Sequence, residues 1–355
     1  MQNPFSRATA IAFLSLLSVI SGFMSPVAHA QDDGGGVLQV CATVPDLGWL
    51  VREIGGEQVS VTVFTKGPED PHFLEAKPSF IKALNQADLF IEVGMELETG
   101  WVPSLLKNAR NGKVLPGAVG YLSASSIITP LNVPVGTVDR SMGDIHPTGN
   151  PHYLLDPLNG LKVARLVRDK LTELRPQKAQ LFNDRCSTFQ QKTGVALVGE
   201  KLAQKYDFEK LALLFQHGKL EAFLKEQHEE GLLGGWLGSM LPYYGAKAIG
   251  DHNMWPYFSS RFGLSVVGFL EPKPGISPTT RHLTELVAMM QKAGVKLILV
   301  SPYFDPRPAE FVSEKTGARM VRMAHQTGAL EGTADYLGMV DYNVRQVVNG
   351  LGSGR

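Results

Sequence analysis

Beyond residue 36 the chain alternates between short apolar runs and stretches whose apolar residues recur at helical spacing. VLQVCAT, residues 37–43, reads as a strand and residues 47–54 as a helix. Residues 59–64, with Val and Thr in alternation, read as a second strand. Pro78 then opens a helix, where its fixed φ and missing N–H cost little. That helix carries Phe80, Ile81 and Leu84 at helical spacing, and residues 89–93 follow as a buried strand. Residues 113–115 and Tyr121 suggest further short strands. Strands alternating with helices imply an α/β unit with a mostly parallel sheet flanked by helices.

The texture changes at Pro157. Residues 157–208 read as long helix, broken chiefly by Pro176, with Leu161, Leu166, Leu171, Leu181, Phe182, Phe189 and Leu197 at roughly helical spacing. A long helix between two α/β halves is a stiff connector, unlike a Gly/Ser linker. The alternating pattern then returns, with strand candidates at 211–215, 246–249, 266–270, 297–300 and 320–323. Helices fall between them, notably at 282–293 and 309–316. The expected organisation is a first α/β lobe over 37–175, a linking helix over 176–205 and a second lobe over 206–355.

The N-terminus carries a different signal. Arg7 gives a positive start, residues 8–24 form an apolar run, and Ala28-His29-Ala30 is a small-x-small cleavage signal. Residues 1–30 therefore read as a secretory signal peptide rather than a membrane span. No cysteine follows the run, which disfavours a lipid anchor, and QDDGGG, residues 31–36, reads as a flexible leader. The expectation is a soluble exported protein. Its formal net charge of zero offers no case for nucleic acid or an anionic membrane as partner, and 44% hydrophobic residues allow substantial cores. Cys41 and Cys186 could pair in an oxidising compartment, yet the apolar run around Cys41 suits a buried free thiol at least as well. Neither has the Cys-x-x-Cys spacing of a thiolate metal site.

Of the nine histidines, His29 lies in the signal peptide. His72, in EDPHFLEAKP, follows the strand at 59–64, and His152, in GNPHYLLDP, precedes a helix. His252, in GDHNMWPYF, follows the strand at 246–249, and His325 follows that at 320–323. In open α/β sheets, ligands sit outside the carboxyl ends of strands. Three loop histidines plus one more donor suit four-coordinate zinc, for which neutral imidazole is a good ligand. A lone loop histidine is usually solvated or hydrogen-bonded, and His217, His228 and His282 are read that way. His228-Glu229 begins a zinc-protease pattern, but Leu232 stands where its second histidine would be. His146, six residues before His152, is read as an outer or transient metal contact.

These segments together resemble the periplasmic metal-binding proteins of zinc and manganese ABC importers, the ZnuA/TroA-like cluster. EDPHFLEAKPSFIKALNQADLFIEVGMELE is similar to the family's first-ligand segment, GNPHYLLDP to its second, and DHNMWPYFSSRFGL to its third, which carries His or Glu. SPYFDPRPAEFVSEKTG and ADYLGMVDYNV match its C-terminal features. The resemblance implies two α/β lobes joined by a long rigid helix, with the metal in the cleft between them. It implies His72 and His152 as ligands from the first lobe and His252 from the second. It also implies an ABC permease as partner and a monomer in the periplasm, with no catalytic residue.

The sequence departs from the family pattern at the fourth ligand. The loop that often supplies an Asp reads MAHQTGALEG, with Thr327 about where the Asp is expected. His325 is the favoured donor, with Asp305 or water as alternatives. Residues 123–142 also lack the histidine-rich loop of many zinc members. A histidine at the third position makes the shell nitrogen-rich, which favours zinc over manganese. The alternatives are a manganese- or iron-binding homologue and a secreted zinc hydrolase. The hydrolase would need a general base, and Asp305 and Glu75 sit in no catalytic motif.

Overall fold

The computed structural model describes residues 36–136 and 145–352. The signal-peptide reading of residues 1–30, and all of the leader but Gly36, lie outside the described residues.

The first sheet comes from β1 (Leu38–Ala42), β2 (Val59–Val63), β3 (Leu89–Glu92) and β4 (Tyr121–Ser123), with α1 (Pro45–Gly55), α2 (Pro78–Gln86) and α3 (Val102–Ala109) between them. Its order is β2-β1-β3-β4 and every pairing is parallel. Helices cover such a sheet on both faces, which is why Leu89, Phe90 and Ile91 of β3 are all fully buried. Gly48 lets α1 lie close on the sheet: a Cβ there would sit 2.3 Å from Val63 Cγ2.

Two long helices follow, α4 (Pro157–Leu174) and α5 (Ala179–Val198). Asp156 caps α4 by accepting from the Leu158 N–H, and Pro157 occupies its first turn. Pro176 then imposes a short 3-10 turn before α5, and α5 stops at Gly199, whose φ is 85°. Four shorter helices come next, α6 (Glu200–Lys205), α7 (Phe208–Gln216), α8 (Leu220–Glu226) and α9 (Gly235–Met240). Helix α5 packs against α1 of the first lobe and also against α7 and α9. Its Phe182, Phe189 and Leu197 are fully buried, each worth roughly 1.5–3 kcal/mol of apolar transfer.

The second sheet repeats the first. It uses β5 (Lys247–Gly250), β6 (Ser265–Phe269), β7 (Leu297–Val300) and β8 (Arg319–Arg322) in the parallel order β6-β5-β7-β8. Helices α10 (Pro256–Phe262), α11 (Thr280–Ala293) and α12 (Arg307–Thr316) connect its strands, and α13 (Tyr336–Gly352) follows β8. In each sheet the strand order reverses beside the first strand, which opens a crevice beyond the carboxyl ends of the strands. One apolar core runs from Leu38 and Val40 through Phe182 and Phe189 to Trp255 and Leu299, so both lobes share it.

Two strand expectations change. Residues 211–215 lie inside α7, because Asp207 caps that helix by accepting from Glu209 N and Lys210 N. Phe208, Leu211, Ala212 and Phe215 then share its buried face at i, i+3, i+4 and i+7. Residues 113–115 form no strand: the Asn111 side chain accepts from the Lys113 N–H and winds Gly112–Val114 into a 3-10 turn. Cys41 and Cys186 are both buried free thiols in separate apolar clusters, so they do not pair. Burial pushes the Cys41 thiol up to about 12. Among the described residues no helix is long and apolar enough to cross a membrane.

Candidate metal centre

His72 and His152 arise from the same local device. Each ends an Asx-Pro-His tripeptide, Asp70-Pro71-His72 and Asn150-Pro151-His152. Asp70 Oδ1 accepts from the His72 backbone N–H at 2.9 Å and from its ring Nδ1 at 2.7 Å. Asn150 Oδ1 does the same for His152, at 3.0 Å for both. One short side chain thus clamps both backbone and ring two residues on, while the intervening proline fixes φ and brings no competing N–H. The Pro71 carbonyl is anchored in turn by the Trp101 Nε1–H at 3.1 Å.

His252 is held differently. It follows β5, and its backbone N–H donates to Asp251 Oδ1 at 2.8 Å. Its Nδ1 donates to Glu271 Oε2 at 2.7 Å, and Glu271 lies two residues beyond the end of β6. The Phe304 ring stacks on the imidazole at 5.8 Å with an interplanar angle of 23°.

The three rings form a near-equilateral triangle, with centroids 5.4 Å (His72–His152), 5.7 Å (His72–His252) and 5.6 Å (His152–His252) apart. One donor nitrogen from each lies within 4.8 Å of the others. Because each Nδ1 faces an oxygen acceptor, each Nε2 carries the lone pair, which is how metal-ligating histidines are commonly oriented. His152 Nε2 is buried with no hydrogen-bond partner. A buried nitrogen without a partner is costly in an ordinary core. Burial, then the neighbouring imidazoles, holds His152 well below its usual value, so it stays in the neutral form that can ligate. Asp70 lies below its usual value: burial alone would raise it, but the side-chain and backbone hydrogen bonds from His72 act against that.

His325 falls outside this triangle. Its Nε2 donates to the Glu69 carbonyl at 3.1 Å, and its ring packs edge-on against Tyr303 at 4.7 Å. Its loop clasps the segment that carries His72. Gln326 Nε2 donates to the carbonyls of Lys66, Gly67 and Glu69, each at 3.0 Å, and the Thr327 N–H donates to buried Asp46 Oδ1 at 2.9 Å. A Cβ on Gly67 would meet the Gly328 backbone at 2.1 Å, so the two loops touch main chain to main chain. Asp305 is exposed and pairs with Arg307, whose backbone N–H it also accepts at 3.1 Å. His217 and His228 are exposed, and His282 Nε2 donates to the Phe269 carbonyl at 3.0 Å. His146 does approach the site: its ring lies 5.3 Å from that of His72 and 6.4 Å from that of His152. Burial, then the neighbouring imidazoles, pushes it down to about 3. Sequence reasoning did not single out Asp70, Asn150 or Glu271. The repeated Asx-Pro-His spacing was a readable signal for the first two, whereas Glu271 reaches His252 only through the folded sheet.

The family model for the periplasmic component A of zinc-uptake complexes, ZnuA, matches residues 40–226 and 238–350. The chain belongs to the ZnuA family. These are solute-binding proteins of metal ABC transporters and not enzymes. Among its relatives, the manganese-binding lipoprotein MntA of Halalkalibacterium halodurans is 23% identical over 327 residues, covering 90% of each chain. The manganese ABC transporter substrate-binding lipoprotein PsaA of Streptococcus anginosus is 22% identical over 349 residues, covering 96% of this chain and 97% of its own. A crystal structure of ZnuA shares the fold with a TM-score of 0.63 at 19% identity, covering 88% of this chain and 98% of that one. The laminin-binding adhesin Lmb of Streptococcus agalactiae, in a mutant structure, gives 0.65 at 20% identity, covering 88% and 99%.

Proposed function

We propose that this protein captures a zinc ion through the Nε2 atoms of His72, His152 and His252 and delivers it to the permease of an ABC importer. The observation that carries the reading is the set of three Nδ1–H groups tied to Asp70, Asn150 and Glu271. That set leaves three lone pairs converging, one of them on the buried, partnerless His152 Nε2. The ion is cargo, so the site needs donors held in place rather than an acid or base. Holding the rings before the ion arrives lowers the ordering cost of binding.

The protein works as a monomer in the periplasm, after removal of residues 1–30, with lobes at 37–175 and 206–355 linked through 176–205. Zinc is preferred over manganese because imidazole nitrogens suit zinc, whereas manganese favours carboxylate and carbonyl oxygen. MntA and PsaA are named for manganese, which makes the ion the point to test. Calorimetry on the chelator-stripped chain should give one zinc per molecule with manganese much weaker. Equal or tighter manganese binding would overturn the nitrogen-based choice.

A further inference from the structure

We propose that His146 is a fourth inner ligand, so that the captured ion is held by four imidazoles. The proposal rests on the three-histidine reading above and concerns the position that this reading leaves open. His146 Nε2 lies 3.3 Å from His72 Nε2. His72 donates its Nδ1–H to Asp70, so a neutral His72 presents a bare lone pair toward His146. The His72 lone pair and His146 Nε2 therefore face each other across a gap that a shared cation can bridge once His146 presents its own lone pair. The spacing is the right one: with zinc–nitrogen bonds of about 2.0–2.1 Å, two ligands of a tetrahedral ion sit about 3.3–3.4 Å apart.

The backbone around His146 is built to hold it there. The turn Gly94-Met95-Glu96 places three successive residues in the left-handed region, at φ of 80°, 52° and 61°. Two of them carry side chains, for which that region is unfavourable and kept only where the surroundings enforce it. This turn grips the His146 loop twice. Glu96 Oε2 accepts from Thr148 Oγ1 at 2.7 Å and from the Thr148 backbone N–H at 3.4 Å. A cavity of about 300 Å³ opens beside His146 and His252 and offers the ion a path in.

His146 reaches only the His72 edge of the triangle, so ion binding draws the ring inward to complete the shell. His325 is placed elsewhere: its Nε2 serves the Glu69 carbonyl, and the ring has no donor nitrogen within the 4.8 Å cluster of His72, His152 and His252. The consequence is selectivity. A shell of four nitrogens disfavours manganese more than three nitrogens and water would, and it leaves no open position for a reactive water.

The test uses the full mature chain, stripped of metal, in wild-type form and as His146→Ala, His146→Asp, Thr148→Val and His325→Ala. Each is titrated with zinc against a competing chelator and loaded with cobalt(II) as a spectroscopic probe. His146→Ala should still bind one ion, weakened by at least the ~10–100-fold that loss of an outer partner costs, with an altered cobalt spectrum. His146→Asp should recover zinc affinity in part and narrow the zinc-to-manganese ratio. Thr148→Val, which loosens the loop but keeps the imidazole, should weaken zinc less and leave the saturated cobalt spectrum unchanged. His325→Ala should leave that spectrum unchanged as well. Wild-type affinity and spectrum in His146→Ala would overturn the proposal and leave the three-histidine site standing. Stoichiometric tight binding in His72→Ala or His152→Ala would instead defeat the reading beneath it.

Discussion

The two lobes hold their histidines by different means. In the first, His72 and His152 each hang from an Asx-Pro-His turn, and the residue two positions upstream orients the ring. In the second, His252 depends on Glu271, which stands 19 residues further on and arrives only when β5 and β6 pair. The first half is therefore organised locally and the second by tertiary structure. The halves are then fastened together. Asn150 Nδ2 donates to the Asn253 carbonyl at 2.6 Å, and Tyr257 Oη accepts from the Leu131 N–H at 2.9 Å. Arg261 of α10 makes a two-pronged pair with Asp156 at 2.8 and 3.0 Å, beside the segment that carries His152.

The largest expected effect comes from cutting that fastening. Arg261→Ala strands the Asp156 carboxylate in a buried setting, so chemical denaturation of the metal-free protein should show a loss of about 3–5 kcal/mol. A change within a few tenths of a kcal/mol would mean that the lobes do not depend on the strut. Next come the proposed ligands. His72→Ala, His152→Ala and His252→Ala should each weaken zinc beyond the ~10–100-fold range of outer-partner losses, while His228→Ala and His282→Ala should not. An equal loss in His282→Ala would misplace the second lobe's donor.

The local-versus-tertiary contrast itself is tested by the orienting residues. Glu271→Ala should cost zinc affinity about 10–100-fold, because among the described residues Glu271 alone holds the His252 Nδ1–H. Asp70→Asn should cost less, since an amide oxygen already does that task at Asn150. Matching losses in chelator competition would erase the distinction between the halves.

The smallest effect is on pH. Burial pushes His325 down to about 4, against about 6.5 in an unfolded chain. Between those values the unfolded chain takes up a proton that the folded one refuses, so stability is full above about 6.5 and falls as pH drops toward 4. Thermal melts of metal-free His325→Gln should depend less on pH over that window than wild type does. Parallel curves would remove His325 from the explanation.

Much of the fold was legible because its signals are local. Short apolar runs, with Tyr121 alone for β4, located the eight strands of the described residues, and Pro78, Pro157 and Pro176 marked where helices begin or break. The misreadings had local causes too: LALLF resembles a buried strand until the Asp207 cap is recognised, and Asn111 winds Gly112–Val114 into a 3-10 turn. At the site, His72, His152 and His252 could be picked out by their places at element ends. His325 could not be separated from them, because it also follows a strand. What distinguishes it is a carbonyl contact with a residue 256 positions away, which no spacing reveals.

The most direct test of the site is zinc K-edge X-ray absorption on the stoichiometrically loaded mature chain. The expected result is a nitrogen-only shell at about 2.0–2.1 Å with imidazole multiple scattering from every ligand, and a loss of one imidazole in each of His72→Ala, His152→Ala and His252→Ala. A shell containing carboxylate oxygen, or one unchanged by removing any of these three rings, would contradict it.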